Sequence, residues 1–234
     1  MKFSIILTDN NRSKSYIQNL ILNGFIPNSA IYLNPENKLI EHRHALKSKV
    51  GLEEYSCFFD ENESVIETLE KNNIKTEIIT TTNINDKKII ELCKKAEGTH
   101  IVYSGPGGQI LRNKLLNVGK EFIHVHPGWL PTYKGSTTFY YSQLIDKKVS
   151  ASVIYFREGI DEGPILLKKS FEIKEKVDFD YIGDPIIRTI TLIDFFKNYK
   201  ILDVEYQNES DGYTFYVIHP LLKHLSILSQ GIKK

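Results

Sequence analysis

A short apolar run, FSIILT over residues 3–8, opens the chain and stops at a turn, Asp9-Asn10-Asn11. A run this short and this apolar suits a strand buried on both faces, as in a parallel sheet covered by helices. Helical spacing follows from Ser13 through Tyr16, Ile17, Leu20, Ile21 and Leu22 to Gly24, a residue suited to closing a helix. Ile31-Tyr32-Leu33 reads as a second strand. Strand, helix, strand is a βαβ unit, and a chain that opens on one is directed toward a doubly wound α/β sheet. The opening turn lacks the Gly-x-Gly-x-x-Gly spacing that receives a pyrophosphate, so no nicotinamide cofactor is expected.

The pattern continues along the chain. Residues 34–60 show no clear period, and Glu41-His42-Arg43-His44 within them reads as a solvated charged face. Ser64 to Lys71 reads as a helix, Thr76 to Thr81 as a β-branched strand, and Asn85 to Ala96 as an amphipathic helix with Ile89, Ile90, Leu92 and Cys93 on one face. His100 to Tyr103 is a buried strand, Leu111 to Val118 a short helix, and Phe122 to Val125 the central strand. Beyond them come a helix over Thr137 to Leu144, a strand over 151–156, and a further strand from Ile165 to Ile173. A long helix over Asp180 to Asn198 is interrupted near Pro185. The tail differs in kind: Val204-Glu205-Tyr206 and Tyr213 to Ile218 alternate about a turn at Asn208–Gly212, as in a β-hairpin, and Pro220 starts a short apolar helix, Leu221 to Leu228. The predicted fold is α/β, a mostly parallel Rossmann-like sheet covered by helices, with a small C-terminal β-hairpin and helix. Residues 1–200 are expected to form the main domain, and 201–234 to pack against a second subunit as a homodimer contact.

Charge limits the partners. There are 30 basic and 29 acidic residues, a formal net charge of +1. A protein gripping many phosphates of a long nucleic acid usually shows a basic bias, so a small-molecule substrate is expected and nucleic acid is not. Cys57 and Cys93 are the only cysteines and form no CxxC pair, which fits a reduced, cytoplasmic protein. The N-terminal apolar run is too short for a signal-peptide core or a membrane span.

Two strand ends carry the candidate chemistry. In FIHVHPGWLPTYKG, residues 122–135, His124 and His126 lie two apart, and therefore on one face of a strand that Pro127-Gly128 ends. About 35 residues on, the strand Val153-Ile154-Tyr155-Phe156 breaks at GIDEGP, which presents Asp161 among glycines. Ligands of open α/β sheets collect at strand ends, and two imidazoles with a carboxylate make a plausible acid–base site. The same trio could bind zinc or iron, but no fourth ligand is evident and no metal is predicted. His219 and His224 fall in the tail and are expected to face solvent or a subunit contact. Ser104-Gly105-Pro106-Gly107-Gly108, after the strand 100–103, permits close approach of a flat ligand to the main chain. Trp129 and Tyr140-Tyr141 could stack on a sugar or base, although core packing is the commoner use of such residues.

HPGWLPTYKG, followed by a helix, a strand and EGIDEGPIL, resembles the folate-dependent formyltransferase family, which includes glycinamide ribonucleotide transformylase, methionyl-tRNA formyltransferase and the amino-sugar N-formyltransferases. The resemblance runs from about Ile101 to Ile173; the first hundred residues agree only in layout. It implies that His126 and Asp161 are the catalytic histidine and aspartate. It further implies that the loop carrying Ser104, Gly105, Gly107, Gly108, Ile110 and Leu111 holds the pterin ring, with Arg157, Glu158, Gly159 and Ile160 as another wall. Tyr133, Lys134 and Gly135 correspond to the loop beyond the histidine and, with Trp129, are the candidate substrate-binding residues. The departures are His124 where the family has asparagine, Gly128-Trp129 where it has Ser-Leu, and Lys134 where it has arginine.

The implied reaction is transfer of a formyl group from 10-formyltetrahydrofolate to an amine. A developing oxyanion needs a donor, worth about 3–4 kcal/mol in related acyl transfers; His124 offers an N–H there in place of the asparagine. A carboxylate beside an imidazole favours the protonated ring and fixes its orientation. The expected acceptor is a nucleotide-linked amino sugar. Alternatives are methionyl-tRNA, or a relative whose His124 marks altered chemistry or no folate use. Side chains at an open strand end are expected to be replaceable without loss of folding.

Overall fold

The computed structural model describes residues 1–34, 57, 59–174, 176–208 and 210–231; Glu41 to His44 fall outside them. The described residues divide into two compact units, one of residues 1–34 with 59–124, the other of residue 57 with the described residues from 125 on.

In the first unit, β1 (Phe3–Thr8), β2 (Ala30–Leu33), β3 (Thr76–Ile79), β4 (His100–Ser104) and the start of β5 (Glu121–His126) lie in the order β3-β2-β1-β4-β5, every pair parallel. Every residue of β1 and β2 is buried, as an apolar run covered on both faces requires. The crossovers are helical. The first is α1 (Asn11–Leu22), whose first turn is capped by the Asn10 side chain accepting from the Ser13 N–H. Next come α2 (Val65–Lys71), opened by a reciprocal Ser64–Glu67 capping box, and α3 (Lys87–Lys95), capped by Asp86. A single short turn, α4 (Asn113–Leu116), precedes β5. Phe122, Ile123 and Val125 of β5 are wholly buried, each contributing roughly 1.5–3 kcal/mol relative to exposure.

The second unit begins inside β5, at Val125. It contains β6 (Tyr133–Gly135), α5 (Thr138–Ile145) and the antiparallel pair β7 (Val149–Tyr155) and β8 (Ile165–Phe171), which follow β5 in the strand order. One π-helical turn over residues 179–183 leads into α6 (Asp184–Asn198). Pro185 sits in the first turn of α6, where its missing N–H costs nothing, and this accounts for the predicted interruption. The chain is thus a mostly parallel α/β sheet with helices and a small second sheet.

The tail corrects the hairpin expectation. Glu205 exchanges both backbone hydrogen bonds with Ile165, extending β8, at 2.8 and 2.9 Å. The other arm, β9 (Tyr213–Phe215), pairs parallel with β6. Both arms are strand-like, but each pairs with a segment that follows a candidate catalytic residue, not with the other. The final helix, α7 (Pro220–Leu228), starts at the expected proline.

Candidate functional site

Within the second unit, β5 ends at His126 and the chain turns through Pro127 and Gly128. Three hydroxyl contacts pin that turn: Thr138 Oγ1 donates to the Pro127 carbonyl, Ser152 Oγ donates to the Gly128 carbonyl at 2.6 Å, and the Leu130 N–H donates to Ser152 Oγ at 3.1 Å. Gly128 has no room for a side chain, since a Cβ there would stand 2.7 Å from the Tyr133 carbonyl oxygen and 2.8 Å from His126 Nε2.

His126 is 1% exposed. Its Nε2 donates to the Tyr133 carbonyl at 2.6 Å, and its Nδ1 lies 3.2 Å from Asp161 Oδ2. Both ring nitrogens therefore face acceptors, so a ring carrying two protons has a partner for each. The same Asp161 Oδ2 accepts from the Gly135 N–H at 2.8 Å. Asp161 has φ +57°, a left-handed conformation that aspartate tolerates better than most residues but that the surroundings must hold. Gly135, at φ +95°, lies against β9 so closely that a Cβ would meet the Phe215 carbonyl oxygen at 2.2 Å.

These contacts bring His126 and Asp161 together, as their strand-end positions predict. They also correct one expectation: His126 is a buried ring with both nitrogens engaged, so its replacement removes core packing and leaves the Tyr133 carbonyl without that donor. His124, partly buried, closes the first unit two residues earlier on the same strand, its ring centroid 6.3 Å from that of Tyr103.

The loop after β4 belongs to the first unit. Arg12, in the first turn of α1, donates through Nε to Ser104 Oγ at 3.1 Å and through a terminal nitrogen to the Gly105 carbonyl. Ser13 Oγ donates to the Ser104 carbonyl at 2.6 Å. Tyr103 donates its hydroxyl to the Pro106 carbonyl at 3.0 Å, and burial pushes that hydroxyl up to about 12, which keeps it a donor. With its base anchored, the loop exposes its tip: a Cβ at Gly107 or Gly108 would meet nothing within 4 Å, and Ile110 is 67% exposed, while Leu111 turns inward.

Residues 157–160 belong to the second unit and are exposed. Arg157 donates to the Phe156 carbonyl at 2.7 Å and lies over the Tyr155 ring, Glu158 and Ile160 face outward, and Gly159 has φ +104°. Of the residues expected on the substrate side, Trp129 is 38% exposed, with Lys168 Nζ 5.2 Å from its ring centroid. Tyr133 and Lys134 are buried. The Tyr133 hydroxyl donates to Asp146 at 2.7 Å, and its ring stacks on Phe215. Burial first, and then that hydrogen bond to a carboxylate, push the Tyr133 hydroxyl far up.

Two residues beside this site were not predicted. Arg188 of α6, buried, donates to the carbonyl of Val125, the residue between the two histidines, at 2.9 Å and pairs with Asp184 at 2.7 Å. One signal was present in the sequence, a lone charge in the apolar run IIRTITLI, since a buried cation needs partners. Gln207 donates from Nε2 to the carbonyls of Asp161 and Gly163, at 2.9 and 2.6 Å. Nothing in its sequence neighbourhood marks it.

Comparison with known proteins identifies the family and the fold. Methionyl-tRNA formyltransferase from Thermosipho melanesiensis is 32% identical over 119 residues, 49% of this chain and 37% of that protein, so the chain spans little more than a third of that relative's length. A sugar N-formyltransferase from Shewanella sp FDAARGOS_354 has the same fold, with a TM-score of 0.60 at 18% identity over 98% of this chain and 87% of that one. WlaRD, a sugar 3N-formyl transferase solved in the presence of dTDP and 5-N-formyl-THF, aligns with a TM-score of 0.56 at 16% identity over 92% of this chain and 69% of its own. Other structures of this fold are phosphoribosylglycinamide formyltransferases. The formyl transferase family model matches residues 58–186, beginning well before the stretch that carries the motifs and covering more than half of the sequence; the chain belongs to the formyl transferase family.

Proposed function

We propose that this chain is an N-formyltransferase that moves a formyl group from 10-formyltetrahydrofolate to the amine of a nucleotide-linked amino sugar. The observation that carries the reading is the His126–Asp161 pair, 3.2 Å apart, within the matched family domain. With both ring nitrogens facing acceptors, the ring held by Asp161 acts in this reading as a fixed polar group beside the developing negative charge, and the proton that the attacking amine loses leaves through a water relay. His124 is the further N–H donor in this reading.

The donor supplies the activated formyl group. Main-chain groups of residues 104–111 suit its flat ring, because the loop tip has open space where Gly107 and Gly108 lack side chains. Arg157 to Ile160 are assigned to the same ligand through the family resemblance. Trp129, the exposed aromatic beside His126 in sequence, is assigned to the acceptor, with Tyr133, Lys134 and Gly135 supporting the loop from within.

The amino-sugar acceptor is favoured over methionyl-tRNA by the net charge of +1. Among the described residues no helix is long and apolar enough to cross a membrane. Two cysteines with no CxxC spacing fit a reduced, cytoplasmic setting. Exposed Tyr213, Tyr216, Val217, Leu221 and Leu225 give the tail an apolar surface suited to a second copy of the chain.

The test is incubation with 10-formyltetrahydrofolate and a panel of nucleotide-linked amino sugars, read by mass spectrometry as the gain of one formyl group. Transfer to methionyl-tRNA alone would replace the acceptor assignment. Absence of 5-formyltetrahydrofolate binding by calorimetry at millimolar ligand would remove the folate reading as a whole.

A further inference from the structure

The segment after α6 does more than close the fold. At Glu205 it joins the first residue of β8, and two residues later Gln207, half-buried, reaches the loop that carries Asp161. One nitrogen, Nε2, spans two carbonyls of that loop, Asp161 and Gly163. Carbonyls only accept, so the chemistry fixes which end of the amide points inward. From the other side, the loop is closed by β7: the Tyr155 N–H donates to the Pro164 carbonyl at 3.1 Å, and a Cβ on Gly163 would stand 1.7 Å from the Tyr155 carbonyl oxygen. Between them sits Asp161 in its left-handed conformation, with Oδ2 facing His126 and accepting from Gly135. A left-handed non-glycine residue persists only where its surroundings hold it. The side-chain contacts of Asp161 run to β5 and β6; Gln207 secures its main chain.

We propose that Gln207 is a positioning residue for the His126–Asp161 pair, acting through the main chain of Asp161. The proposal rests on the formyltransferase reading for its kinetic consequence, but its structural content stands apart from the reaction. Removing both N–H donors frees the Asp161 and Gly163 carbonyls and lets the loop relax, which turns Oδ2 away from the ring. Displacements of about 1 Å in such a pair cost on the order of 10²-fold in rate.

The test compares Gln207→Leu, Gln207→Glu and Asp161→Asn in the full chain. Gln207→Glu keeps the shape of the side chain but turns an acceptor toward two carbonyls, so it serves if the leucine variant misfolds. Both Gln207 variants are expected to lower kcat for formyl transfer by roughly 10- to 100-fold, with KM for donor and acceptor unchanged within about twofold. In an Asp161→Asn background, Gln207→Leu is expected to cost less than about threefold more, because residues acting through one another are non-additive. A full additional loss in the double variant, or a change confined to KM, overturns the proposal. A second readout needs no turnover. In protein with ¹⁵N-labelled histidines, the ring-nitrogen signals of His126 should move in both Gln207 variants in the direction that Asp161→Asn moves them. If those signals stay at their wild-type positions in both while Asp161→Asn shifts them, Gln207 does not position the pair. Wild-type protein that transfers no formyl group defeats the functional reading alone, and the histidine spectra then decide this one.

Discussion

Gly128→Ala tests whether the ring of His126 sits where the hydrogen bonds place it. The added Cβ would stand 2.7 Å from the Tyr133 carbonyl oxygen, 2.8 Å from His126 Nε2 and 3.1 Å from its Cδ2. Ordinary contact lies beyond about 3.4 Å, so something must move by more than half an ångström. Little can yield cheaply. The Gly128 carbonyl is held by Ser152, and the Pro127 carbonyl by Thr138. Tyr133 lies in β6, paired to β9, and its N–H donates to the Trp129 carbonyl at 3.0 Å. The ring is the part that gives way, losing its 2.6 Å hydrogen bond to Tyr133. Overpacking costs about 1–3 kcal/mol and a lost buried hydrogen bond about 1–2 kcal/mol; reduced freedom of the unfolded chain returns about 0.4–1 kcal/mol. The net expectation is a loss of about 1–4.5 kcal/mol, measured as a lower urea midpoint at unchanged slope. A loss below about 0.5 kcal/mol would show that the ring does not occupy this position, and would remove the geometric basis for pairing Nε2 with Tyr133.

Gly107→Ala, where the new methyl meets nothing within 4 Å, should leave the midpoint within about 0.5 kcal/mol yet weaken 5-formyltetrahydrofolate binding in calorimetry if the pterin approaches that main chain. His124→Asn should retain substantial formyl transfer while His124→Ala loses on the order of 10²–10³ in turnover; equal loss in both would remove the donor role. Burial holds the His100 ring below its ordinary range, a depressed value whose contribution to stability is present above the unfolded value of about 6.5 and lost as pH falls through the folded one. Thermal melts between pH 7.5 and 5 should therefore fall less steeply for His100→Gln than for wild type. Leu225→Asp on the exposed face of α7 should shift the chain toward monomer in light scattering if a second copy covers that face.

The parts of the fold legible in the sequence are those set by local period. A short apolar run bounded by turn residues reads as a buried strand, and β1, β2, β4 and β5 lie where FSIILT, IYL, HIVY and FIHV place them. Pro185 reads in sequence as an interruption of a helix over 180–198; the helix starts there instead, since only a first turn can spare the N–H that the ring removes. The tail shows where this reasoning stops. Alternation in Tyr213 to Ile218 says that the segment is extended and half-covered, but it does not name a partner, and a turn between two such arms suggested the nearest one. The partner is β6, three residues whose strand character is hidden in a loop motif and is supplied by the pairing itself.

The candidate site divides along the same line. The meeting of His126 with Asp161 was legible because both sit where a strand breaks into a loop. Gln207 and Arg188 act on carbonyl oxygens, which every residue has, so no residue pattern on the other side announces them. Tyr133 and Lys134 show a different gap: position in a motif says which loop a residue is on, not which way its side chain turns, and both turn inward. Gly128 joins the two lessons. The family resemblance marks it as a departure from serine, which by itself reads as a lost hydroxyl. In the structure the relevant loss is the Cβ, because the space it would fill is taken by the hydrogen bond between His126 and Tyr133. A serine at 128 and the ring in this position exclude each other without a shift of one or the other. The glycine is therefore part of how this chain seats its histidine, and its replacement bears on the chemistry of His126 even though its own side chain offers none.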